Sequence, residues 1–137
     1  MDEKCKAGLP ENLKGRIEDL KTLWDSECKG EENTEDLGNL NEYGLCFDYV
    51  APEGYRRGYF RYQLSWGGPS DEFRIFASGS GYRWIVDKIE YWFLDWFDGA
   101  SRKLSGKNFK LIEEIFQNFF VEVGCVDSEY NKAMEDF

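Results

Sequence analysis

The sequence predicts an α+β fold: a four-stranded antiparallel β-meander flanked by an N-terminal and a C-terminal helix. Three observations predict it. Two Gly-rich breaks, WGGPSD and ASGSGY, divide residues 58–99 into apolar-patterned runs, and four of the five tryptophans fall there. Residues 59–66 alternate with period two, the cleanest such pattern in the chain. Helical periodicity is confined to the two ends of the chain. Sequential strands joined by short loops pair antiparallel with their neighbours.

Met1 to Gly8 is charged and small, and it is expected to fray. A helix is expected over residues 10–29. Pro10 and Glu11 open it, Leu13, Ile17, Leu20 and Trp24 recur at helical spacing, and Gly30 stops it. Residues 31–41, EENTEDLGNLN, hold four acids and no base and read as a solvated connection. Residues 42–51 are the first strand, with Tyr43, Leu45, Phe47 and Tyr49 on one face, and Pro52-Glu53-Gly54 turns the chain. The Arg56-Arg57 doublet stands where the next strand begins.

On the second strand Phe60, Tyr62, Leu64 and Trp66 point one way, and Tyr59, Arg61, Gln63 and Ser65 the other. The third strand, 71–77, alternates Phe73, Ile75 and Ala77 with Glu72, Arg74 and Phe76. Opposed Arg and Glu residues are expected to pair across these strands. The fourth strand runs over 82–97 with apolar residues on both faces. Either helices cover both sides or a bulge near Asp87-Lys88 switches the faces. Asp98-Gly99 is expected to end it, and 101–105 to link to a helix over 107–123. There Phe109, Ile112, Phe116, Phe119 and Val123 form a stripe, with Gly124 as the stop. Tyr130, Ala133, Met134 and Phe137 suggest a short last helix. Phe60, Tyr62, Leu64, Trp66, Trp92, Leu94, Phe109, Ile112, Phe116 and Phe119 are the expected core.

At 137 residues the chain reads as one domain, able to bury a core without disulfide or metal. It has no run of eighteen apolar residues and no signal-peptide h-region, so a cytoplasmic protein with no membrane association is expected. Cys5, Cys28, Cys46 and Cys125 form no C-x-x-C, and histidine is absent, so no zinc site is expected. The cysteines read as free thiols, with a Cys28–Cys46 or Cys5–Cys125 bridge as the rival. A net charge of −10, from 27 acids against 17 bases, disfavours direct binding of nucleic acid or of an anionic membrane.

Absence of histidine removes the commonest acid–base and nucleophile pairs. The Gly79-Ser80-Gly81 turn lacks the context of a phosphate loop. Among carboxylates, Asp95 and Asp98 have opposite parity on a strand, as do Glu90 and Asp95. Asp87 and Asp95 share a face but lie about 27 Å apart at strand rise. These readings favour no enzyme and no cofactor, with a carboxylate hydrolase as the remaining catalytic alternative. Trp66, Trp84, Trp92, Trp96, Tyr59, Tyr82 and Tyr91 exceed what one sheet face buries, and surplus Trp and Tyr suit a protein-binding patch.

The blocks LSWGGPSDEFR and EYWFLDWFDGA, within residues 42–100, resemble a small family of uncharacterised acidic proteins of phages and other mobile elements. The resemblance implies a context in which such proteins counter host defence, including anti-CRISPR and anti-restriction inhibitors; with no catalytic pattern in the chain, a non-enzymatic inhibitor that blocks a nucleic-acid-handling host defence complex is expected. A scaffold or accessory subunit of a mobile element is the alternative. The partner expected is a protein, engaged through a basic surface. The residues assigned to the contact are Glu31, Glu32, Glu35, Asp36, Asp71 and Glu72, with Trp84 and Tyr91 as an aromatic patch. Two modes are open: acids imitating phosphates, or aromatic side chains plugging a surface.

Overall fold

A computed structural model describes residues 2–31, 34, 37–67, 69–95 and 98–135, with side chains from Lys6 onward. Helix α1 (Asp2–Cys28) and the single turn α2 (Leu40–Tyr43) precede five strands: β1 (Cys46–Val50), β2 (Tyr59–Ser65), β3 (Ser70–Ser80), β4 (Arg83–Asp95) and β5 (Asp98–Lys103). Helix α3 (Gly106–Ile115) continues into a π-helical turn, Phe116–Val121, and α4 (Cys125–Glu135) follows. The strands form one antiparallel sheet in sequence order, so the meander is as expected but has five strands.

The fifth strand arises at Asp98-Gly99. These residues start β5 rather than ending the sheet, and Asp98 pairs back on Asp95. The first strand begins later than expected. Asn39 caps α2, its side chain accepting from the Glu42 N–H at 3.0 Å, and this local bond outcompetes extension over 40–43. The expected frayed terminus is helical from Asp2. Pro10 sits inside α1, where it removes one helical bond, but Leu9 is buried and Gly8 stands against the Phe93 ring. Packing here overrides propensity.

All helices cover one face of the sheet. Phe60, Phe73, Ile75, Ile89 and Tyr91 meet Leu20, Leu23, Ile112, Ile115 and Phe116 in a continuous core. Two bulges decide which residues reach it. In β4, Phe76 pairs with Lys88 and Ala77 with Val86, so Asp87 is the extra residue. Trp84 and Val86 before it and Ile89, Tyr91 and Phe93 after it all point inward. Of the two explanations for apolar residues on both parities, the bulge is the correct one. In β2, Leu64 is the extra residue between paired Gln63 and Ser65. Ser65 then takes the inward place opposite Asp71, and Trp66, expected in the core, is 68% exposed.

Trp92, Leu94, Phe109 and Phe119 are half-buried rather than core, and Val123 is exposed. The π-helical turn is the reason at the C-terminal side. Its wider winding brings Phe116, Phe120 and Val121 inward together and rotates Phe119 and Val123 out.

The opposite sheet face carries no described helix; its side chains cover one another. Arg61 faces Arg74 across β2 and β3, not a glutamate. Arg61 turns sideways to Asp48 at 2.7 Å, and Arg74 bonds Glu72 at 2.7 Å along its own strand. The Arg74 guanidinium also lies 4.0 Å from the Trp92 ring centre and 4.9 Å from that of Tyr59. Cys28, Cys46 and Cys125 are free thiols.

Candidate protein-contact surface

Two of the acids assigned to a contact surface are interior. Strand β3 is central, and Asp71 is 1% exposed and Glu72 4%. The Asp71 carboxylate accepts from Arg16 Nε at 2.7 Å and Nη2 at 3.0 Å, from Tyr91 Oη at 2.6 Å, and from Ser65 Oγ. A buried carboxylate survives only when its lone pairs are filled in this way. It clasps α1 to the sheet. Arg16 Nη1 extends the clasp to Tyr43 Oη at 3.0 Å, and Tyr43 donates to Asp19 at 2.6 Å.

Burial, and then the bond to Asp19, push the Tyr43 phenol up to about 12. Its folded value lies above the unfolded one, so its contribution is complete below pH 10 and is lost as pH rises towards 12. Urea unfolding between pH 9 and 12 should show stability falling, and Tyr43→Phe should make that fall shallower. An identical slope in the variant would rule out a role for Tyr43 in it.

The aromatic pair assigned to the contact is also interior: Trp84 is 4% exposed and Tyr91 0%. Both lie on the helix-covered face, Trp84 against Phe60 and Tyr130, and Tyr91 against Phe73. Glu31 is exposed, as expected; Glu32, Glu35 and Asp36 lie outside the described residues, as does Trp96. Among the carboxylates, Asp95 and Asp98 stand directly opposite one another, because the chain reverses between them. Residues directly opposite on antiparallel strands share a face, so their opposite parity along the chain does not set them apart. Both are engaged in interactions of their own, and neither lines the pocket or the groove described below.

Of the exposed large apolar side chains, Tyr55, Tyr82 and Ile85 belong to the end of the sheet that holds the β1–β2 and β3–β4 connections, whereas Leu45 and Trp66 lie at the other end. The β1–β2 connection and the β3–β4 hairpin share a tripeptide, Gly-Tyr-Arg, at 54–56 and 81–83. Both glycines have positive φ, 58° and 62°, so each turn reverses tightly and throws its tyrosine outward. Tyr55 is fully exposed, Tyr82 is 74% exposed and Ile85 75%. The repeated Gly-Tyr-Arg, more than the Arg56-Arg57 doublet, is the sequence signal that marks this end.

The two turns are fastened together and to the helices. The bulge aims Asp87 at Arg57, which reaches its carboxylate through both Nη1 and Nη2, the latter at 2.7 Å, and touches Ser78 Oγ at 3.4 Å. That guanidinium holds the Asp87 carboxyl below the usual range. Asp127 of α4 accepts from the Gly81 N–H at 2.8 Å, and Gln117 donates to the Trp84 carbonyl at 2.6 Å. Between the turns a pocket of about 170 Å³ is lined by Tyr49, Arg57, Gly58, Ser78, Trp84 and Tyr130, among others. Burial raises the Tyr49 phenol. The result is a platform fastened by side-chain bonds, with protruding tyrosines and mixed charge.

Among the described residues no helix is long and apolar enough to cross a membrane. No family model, curated protein or solved structure matches the chain.

Proposed function

We propose that the protein is a binding protein, not an enzyme, and that it engages a protein partner through Tyr55, Tyr82 and Ile85 with the neighbouring arginines. The single observation that carries this reading is the convergence of these three exposed apolar side chains on one fastened end of the sheet. Tyr and Arg held rigidly at a surface are the residue types that dominate binding energy, because little entropy is lost when they are covered. Within the mobile-element context the resemblance implies, the partner is a nucleic-acid-handling defence complex, and the mode is steric plugging. Phosphate mimicry has less support, since Asp71 and Glu72 are spent on internal bonds and the exposed face of α1 mixes Lys6, Lys14 and Lys21 with Glu11, Glu18, Asp25 and Glu27.

A transformation assay against a panel of defence systems tests both parts. The chain should protect incoming DNA from at least one system. Tyr55→Ala with Tyr82→Ala should lower protection by about 100-fold, as loss of two anchors of about 1.4 kcal/mol or more each predicts. Reversing Glu31, Glu32, Glu35 and Asp36 to Lys should change it little. No protection from any system would sink the inhibitor reading and leave the mobile-element scaffold. The directly opposed Asp95 and Asp98 keep the hydrolase as a second reading. Glycan turnover abolished by Asp98→Asn would establish it.

A further inference from the structure

A groove of about 370 Å³ runs between α1 and α3, and no residue of the β1–β2 or β3–β4 connection lines it. Its size falls within the range of small-molecule sites, about 300–1,000 Å³. The apolar part comes from Ile17, Trp24 and Leu111, and Lys21, Lys107 and Lys110 also line it. Helical spacing produces this. Ile17, Lys21 and Trp24 form one row on α1, and Lys107, Lys110 and Leu111 fall within one turn of α3.

The charge here is unlike that of the chain. Arg16, Arg57, Arg61 and Arg74 each close on a carboxylate. Among the described residues, no acid forms an ion pair with Lys21, Lys107 or Lys110, although the chain carries ten more acids than bases, 27 against 17. Two acids share the lining. Glu114 accepts from the Trp24 indole N–H at 3.4 Å, and Asp25 stands beside it. Three cations against two anions leave the groove locally positive in a protein of net charge −10.

We propose that this groove binds a small organic anion with a flat apolar body, an aromatic carboxylate or phosphate ester. The ring would lie along Ile17, Trp24 and Leu111, and the anionic group would meet the α3 lysines. Neither the hairpin end nor the partner it binds is needed for this site.

Titration of the full chain with 2-naphthoate, 2-naphthyl phosphate and the neutral 2-naphthylmethanol tests it, read by amide and indole N–H shifts in NMR spectra. Saturable shifts should centre on the Trp24 indole and residues 107–111 for at least one of the two anions, and which anion binds tighter identifies the ligand's charged group. The alcohol should bind at least about tenfold more weakly, and so should both anions to a Lys107→Glu, Lys110→Glu chain. Glu114→Gln, which keeps an acceptor for Trp24, should tighten binding several-fold. Shifts centred elsewhere, equal binding of the alcohol, or anion binding indifferent to these charge changes would overturn the proposal.

Discussion

Replacing Asp71 by Asn should lower the unfolding free energy by about 3 kcal/mol, the largest effect expected from any single isosteric change in this chain. The amide keeps the shape of the carboxylate but not its charge or its four acceptor positions. Arg16 would be left facing a neutral group, and one amide N–H₂ would meet donors. Breaking a buried pair by removing one partner costs about 3–5 kcal/mol, and Arg16, which keeps some solvent contact, places this case at the lower end. Urea unfolding gives the number. Tyr91→Phe, which removes one of the four bonds, should cost about 1 kcal/mol. A cycle pairing Asp71→Asn with Arg16→Met should show a coupling of about 1–3 kcal/mol. If Asp71→Asn costs less than about 1 kcal/mol, the clasp is not what holds α1 on the sheet.

Gly79→Ala should cost about 2–4 kcal/mol, although the change adds one methyl group on a surface hairpin. Gly79 has φ of 149°, and a Cβ there would fall on the Arg83 carbonyl oxygen and 2.8 Å from the Trp84 Cα. These are backbone atoms of the paired strand, so no rotamer change relieves the clash. The hairpin would have to open, moving Tyr82 and uncoupling Gly81 from Asp127. Gly81→Ala is the control. Its φ is 62°, but a Cβ would meet open space, so only left-handed strain of about 1–2 kcal/mol applies. Thermal unfolding of both variants distinguishes them; equal losses would mean that φ alone, not the close approach of strands, makes glycine necessary at 79.

The strand order and the helical ends were legible because periodicity reports burial directly. Phe60, Tyr62, Ile112 and Phe116 came out as core for that reason. What failed were positions where one residue changes the phase. The Leu64 bulge put Trp66 outside, and the π-helical turn put Val123 outside. The Asp87 bulge is legible as one of two options because the apolar residues of β4 switch parity there. Four of the eight assigned contact residues, Asp71, Glu72, Trp84 and Tyr91, are interior for a different reason. Sequence assigns an acid to the surface by default, and nothing local told that Arg16, 55 residues away, supplies the partner that lets Asp71 be buried. Trp84 and Tyr91 look surplus in the sequence, but α1, α3, the π-helical turn and α4 together cover more of the sheet than two amphipathic stripes suggest. The repeated Gly-Tyr-Arg was in plain view, but only the fold brings its two copies to the same end.

The central claim is that aromatic side chains at this end, not the acids, make the contact. Salt tests it most directly. With the defence complex that the transformation assay identifies, affinity should be measured at 50 mM and 500 mM salt. Anchoring through Tyr55, Tyr82 and Ile85 predicts a change of less than about threefold, because covering apolar surface is hardly screened. A fall of about 100-fold or more would show that the protein holds its partner by imitating a polyanion, and would contradict the account.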